Sequence, residues 1–172
     1  MNNVIRLGDS GAQLVPDDDW VLALDSTEST VGPRILGVEG WLAAQPQAVL
    51  NGLSVSTDAV CLQPDDDAES LEAYLPVLPM IAVHFPNFRD GRGYSQAYLL
   101  RTRLAWQGEL RAVGDVLRDQ LSHMRQCGFN TFALHADKSA ADALKGLEGM
   151  SVSYAPSTIE PRPLFRRRSE GV

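Results

Sequence analysis

Four short strand-like runs, each trailed by a polar loop and a stretch of helical spacing, constrain this chain more than any other feature. They are AVCLQ (59–63), MIAVHF (80–85), ELRAVG (109–114) and FNTFALH (129–135). MIAVHF is nearly continuous apolar, as expected of a strand covered on both faces. Leu71, Tyr74, Leu75 and Leu78, then Ala97, Leu100 and Leu104, then Leu117, Leu121, Met124 and Gly128, fall at helical intervals between the runs. Pro76 must end or kink the first of these helices. Asp115 is placed to N-cap the third, and Gly128 to close it. Ser139 opens another helix with Ala140, Ala143, Leu144 and Leu147 inward, and Val152–Tyr154 fits a last short strand. Strand and helix alternating across short connections imply right-handed crossovers and a mostly parallel sheet. Four or so such units are too few for a closed eight-fold barrel. The expected fold is therefore α/β, a mostly parallel sheet of repeated βα units forming an open sheet or half-barrel, preceded by short extended pieces.

At 172 residues the chain fits one domain with a core of its own. That domain is expected over 1–160, irregular over 1–47 and regular over 48–155, with a basic flexible tail at 161–172. GAQLVPDDDWVLAL reads as two extended pieces around an acidic turn. An open sheet leaves edges to be covered, by those pieces or by a second copy of the chain, so a homodimer is one expectation. No apolar run approaches the roughly 20 residues of a membrane span. The N-terminus has no apolar signal-like stretch, and Cys61 and Cys127 form no disulfide framework, which fits the cytoplasm. Two cysteines cannot supply a four-cysteine iron–sulfur site, and no dinucleotide-binding fingerprint or metal-ligand spacing occurs. A cofactor is left unidentified.

The net charge of −7 argues against nucleic-acid binding. Yet residues 89–125 hold seven arginines against four acids. Arginine suits bidentate contacts with carboxylate or oxyanion groups. In parallel α/β folds the working face lies beyond the carboxyl ends of the strands. Those ends carry Gln63 and Asp65, then His84 to Tyr94, then Asp115, then His135 to Asp137.

The loop Asp90, Gly91, Arg92, Gly93, Tyr94, Ser95 is the sharpest signal. Two glycines around an arginine, just before a helix start, allow close approach of an anion. The alternative is a tight turn in which Arg92 pairs with Asp90. Arg101 follows on the same helix, and Arg118 on the next; both join the anion-binding or docking candidates. Tyr94, Asp115 and His135 are the candidate catalytic groups, with His84 joining them if it faces the same rim. Glu109 and Arg111 share one strand face, which calls for ion pairing of Arg101 with Glu109 or Arg111 with Asp119.

The run FPNFRDGRGYSQAYLLR followed by GELRAVGDVLRDQLSHMRQCGF resembles a bacterial domain-of-unknown-function family labelled "probable oxidoreductase involved in sulfite reduction". The likeness is specific over Phe85 to Phe132 and extends more weakly to Trp20 and Tyr154. That family is commonly encoded beside assimilatory sulfite reductase, so the resemblance implies a pathway and a partner. The partner would be sulfite reductase or its electron donor. Three roles follow as expectations. The first is an accessory protein that docks the partner or binds a small oxyanion at its arginine-rich rim. The second is an enzyme acting on a sulfur oxyanion or a phosphorylated metabolite. The third is a structural subunit whose polar residues are buried pairs.

Overall fold

The computed structural model describes residues 1, 3–8, 11–24, 32–135, 137–147 and 155–169. Eight strands form one sheet: β1 (Val4–Gly8), β2 (Gly11–Val15), β3 (Val21–Ala23), β4 (Arg34–Gly37), β5 (Ala59–Leu62), β6 (Met80–Phe85), β7 (Glu109–Gly114) and β8 (Thr131–Ala133). Their order across the sheet is β2-β1-β8-β7-β6-β5-β4-β3. From β3 to β8 every strand lies beside its successor in parallel. The β1–β2 hairpin closes the far side, with β1 antiparallel to both β2 and β8. Sequential right-handed crossovers put the helices on one face, and the sheet curls into an open half-barrel.

The doubly buried runs follow from this arrangement. On the convex face Val60, Leu62, Ile81, Val83, Phe85, Leu110 and Phe132 pack in one cluster with Trp41, Leu71, Leu100, Leu121 and Met124. The concave face is lined by Val4, Ile35, Ala59, Cys61, Met80, Ala82, Val113 and Ala133. Several of these are small, which lets the sheet curl without overpacking its inner surface. Met1, Val15, Trp20, Leu22 and Leu24 pack over them. The stretch read as irregular thus supplies four strands and much of the concave filling. VIRLG and RILG are too short and mixed to reveal a strand by periodicity alone.

The helices are α1 (Val38–Ala44), α2 (Gln47–Leu50), α3 (Arg92–Thr102), α4 (Leu121–Cys127), α5 (Ala140–Leu147) and α6 (Leu164–Ser169). The segment 68–77, expected as an α-helix, is a ten-residue 3₁₀ helix. Ala68, Leu71, Tyr74 and Val77 repeat every three residues, the period of that helix, and Pro76 opposes α-helical bonding to the preceding turn. Asp67 caps it, accepting the Glu69 N–H at 2.9 Å.

The cap expected of Asp115 is a further correction. A short 3₁₀ turn, Arg118–Gln120, precedes α4, and the Gln120 side chain accepts the Leu117 N–H instead. Gly128 does end α4, at φ +111°. The short helix α6 falls within the segment read as a tail, and Val152–Tyr154 lies outside the described residues.

Candidate functional site

The carboxyl ends of β6, β7 and β8 meet in a shallow depression lined by His84, Phe85, Pro86, Gly114, Asp115 and His135. Gly114 is essential to its shape. Its φ is +96°, and a Cβ there would lie 2.3 Å from the Phe85 carbonyl oxygen and 2.8 Å from His84 Cδ2. The His84 ring therefore lies against a backbone that only glycine can supply. His84 Nδ1 is 2.9 Å from Gln63 Oε1, so β5 orients a ring carried by β6. His135, exposed, has its Nδ1 2.5 Å from Asp137 Oδ1. Together with Lys138, that imidazole holds the Asp137 carboxyl below its ordinary pKa. Asp115 accepts the Phe88 N–H at 2.9 Å.

Two of the expected rim residues do not join this depression. Arg92 forms a fork with Asp90, at 3.0 and 2.6 Å, and reaches Asp65 as well. Its charge is thus met by two carboxylates, and hydrogen bonding from Arg92 holds the Asp90 carboxyl low. The tight-turn alternative describes this loop. Gly93 is required for a different reason from anion approach. A Cβ on it would meet Phe85 Cζ at 2.8 Å, so glycine lets α3 lie close on β6. Gly91 precedes the helix as its N-cap, and Ser95 is exposed on it. Tyr94 turns toward the helix layer, its ring 5.2 Å from Phe85 and 4.7 Å from His123. Burial pushes its hydroxyl pKa up.

The expected ion pairs are also rearranged. Arg101 pairs with no carboxylate among the described residues. It donates to the carbonyls of Gly128 (2.9 Å), Trp106 (2.5 Å) and Gly108 (2.9 Å), stapling the ends of α3 and α4 to the start of β7. Burial pulls its pKa down to about 10. Arg111, fully buried on the concave side, bonds Asp18 in bidentate fashion at 2.9 and 2.7 Å and Glu109 at 3.0 and 2.8 Å. Glu109 also pairs with Arg6. Asp119 is exposed and takes part in no ion pair among the described residues, because the acid that reaches Arg111 comes from the N-terminal segment. Arg118 pairs with Asp142 on α5 at 2.9 Å.

One residue of the His84 to Tyr94 stretch, Phe88, is not among the candidate site residues singled out from the sequence. In the loop between β6 and α3, the Phe88 backbone is held on both sides, its N–H by Asp115 and its carbonyl by Gln120 Nε2 at 3.1 Å. Its ring is nevertheless 51% exposed, with the Arg89 guanidinium 5.6 Å from its centroid. An aromatic between Asn87 and Arg89 in a polar loop was the available signal.

Among the described residues no group of three or more His, Cys, Asp or Glu side chains is set to hold a metal ion, and no helix is long and apolar enough to cross a membrane. Comparison with curated proteins finds no match. A family model described as a bacterial protein of unknown function (DUF934) matches residues 59–165, which run from β5 into α6 and include the depression and the Phe88 loop, and the chain belongs to that family.

Proposed function

We propose that this protein is an accessory of assimilatory sulfite reduction that docks sulfite reductase or its electron donor through the loop carrying Phe88. The observation that carries the reading is the doubly held backbone of Phe88 beneath a ring offered to solvent. An exposed aromatic on a fixed backbone loses little freedom on association, the condition for an interface anchor. Arg89 beside it adds a cation that steers toward an acidic partner surface. The pathway and the partner come from the family resemblance.

The test is calorimetry and co-purification with sulfite reductase and with its electron donor, at low salt. Phe88→Ala should weaken the complex roughly 30-fold, the loss of about 2 kcal/mol typical of an anchor. Its melting temperature should stay unchanged, since the ring packs on little. Absence of a complex with either partner at low salt removes the proposal.

The depression supports a second reading, an enzyme or oxyanion-binding protein. Two imidazoles and a carboxylate from successive strands can exchange protons with a small ligand. Asp115 opposes a fully ionised anion, so the reading favours a ligand that carries a proton, such as hydrogensulfite. A sulfite titration unchanged by His84→Gln would eliminate it.

A further inference from the structure

A second cavity lies at the opposite end of the sheet, where β7 and β8 begin. It measures about 350 Å³ and is bounded by Arg101, Gln107, Arg125, Asn130, Thr158 and Ile159, among others. Among the described residues no carboxylate lines it, although the chain as a whole carries a net charge of −7. Arg101 uses its Nε and Nη1 groups on backbone carbonyls, which leaves the Nη2 hydrogens without a partner among the described residues. Arg125 makes no ion pair or side-chain hydrogen bond among them. Asn130 accepts the Leu110 N–H at 2.7 Å through Oδ1, and its amide NH₂ is likewise unmatched.

Two guanidinium groups and an amide donor around one cavity, with no acid among the described residues that line it, form a positive pocket. A half-buried guanidinium such as Arg101 is stabilised by a charged hydrogen-bond acceptor. We infer that this cavity is an oxyanion site, taking a phosphate or sulfate group, free or as the terminal group of a metabolite, between Arg101 and Arg125. The Arg101 staple joins α3, α4 and the start of β7, so a bound anion would brace that junction. This site is separate from the carboxyl-end rim and does not depend on the reading given to it.

The probes are inorganic phosphate and inorganic sulfate, with phenyl phosphate to distinguish a free ion from a terminal group. Binding is read by calorimetry, by rise of the melting temperature and by NMR shifts of the Arg101 Nε–H and Asn130 amide. Wild-type protein should bind at least one probe. Arg125→Gln should weaken that binding by about tenfold or more, the worth of one charge-assisted contact. Because Arg125 is exposed and makes no ion pair among the described residues, the ligand-free melting temperature should not move. His84→Gln and Asp115→Asn should leave the affinity unchanged. The inference is overturned if wild-type protein binds no probe, if Arg125→Gln binds as well as wild type, or if the rim variants abolish binding.

Discussion

Asp18→Asn should destabilise the protein by about 3 kcal/mol, because Arg111 has no route to solvent. The guanidinium is fully buried, and Asp18 supplies two of its four carboxylate contacts. Removing one partner of a buried pair generally costs about 3–5 kcal/mol. Glu109 stays in place and keeps the loss near the lower end. In a domain of this size that amounts to a fall in melting temperature of about 6–12 °C. Urea unfolding followed by circular dichroism measures it directly. Replacing both partners, Asp18→Leu with Arg111→Met, should recover much of the loss, since apolar groups of similar volume need no counter-charge. The pH dependence carries the same signature. Burial alone would raise the Asp18 carboxyl, but hydrogen bonds and charge from Arg111 bring it below its ordinary value of 3.8. Its contribution is therefore fully present above the unfolded pKa and is lost as pH falls through the lowered folded one. Asp18→Asn should flatten the acid limb of the stability curve below about pH 4. A cost under about 1 kcal/mol, or a double variant no more stable than Asp18→Asn, would refute the reasoning.

Gly114→Ala should cost about 1–3 kcal/mol through strain at φ +96° and displace the His84 ring that lies against it. Thermal unfolding and the His84 imidazole NMR signals report the two effects separately, and an unshifted imidazole spectrum would show that Gly114 does not shape the depression. Thiol labelling should separate the cysteines. Cys61 is fully buried and burial raises its pKa far above the ordinary range, so it should react with a disulfide reagent only on unfolding. Cys127 is partly exposed, with its pKa raised by burial, and should react slowly in the native state. Rapid native labelling of both would contradict the fold around β5.

The parts of the fold legible in the sequence are those specified by short-range pattern. β5 and β6 announce themselves as apolar runs, as strands buried on both faces require, and β7 and β8 by the strand–loop–helix spacing around them. The carboxyl-end rule then places His84, Asp115 and His135 together. What stayed hidden depends on distant pairing. PDDDW offers three consecutive acids, and nothing local says that the middle one crosses the concave face to Arg111, 93 residues away. Arg101 looked like half of an ion pair because an arginine beside an apolar stripe needs acceptors. Carbonyls freed at helix ends provide them, and they have no sequence signature. The 3₁₀ helix was obscured for the opposite reason. Leu71 and Tyr74 suit a period of 3 or 3.6 equally, and only Ala68 and Val77 decide between them.

The residues matched by the family begin at β5, yet the half-barrel does not. Residues 59–165 contain four strands, β5 to β8, whose outer members would each present an unpaired edge without β4 and β1 beside them. The inner faces of Cys61, Ala82 and Val113 would lose the cover of Trp20, Leu22 and Leu24. Arg111, inside the matched region, would lose the carboxylate of Asp18. The Asp58 carboxylate, one residue before the match, is tied to Arg34 of β4, and its backbone carbonyl accepts the Trp41 indole N–H of α1. Every open boundary of the matched unit is thus satisfied by the first 58 residues, and Asn3 also reaches the depression, donating to the His135 carbonyl at 3.3 Å. The N-terminal segment completes the fold, and the matched unit supplies the side chains that line the depression.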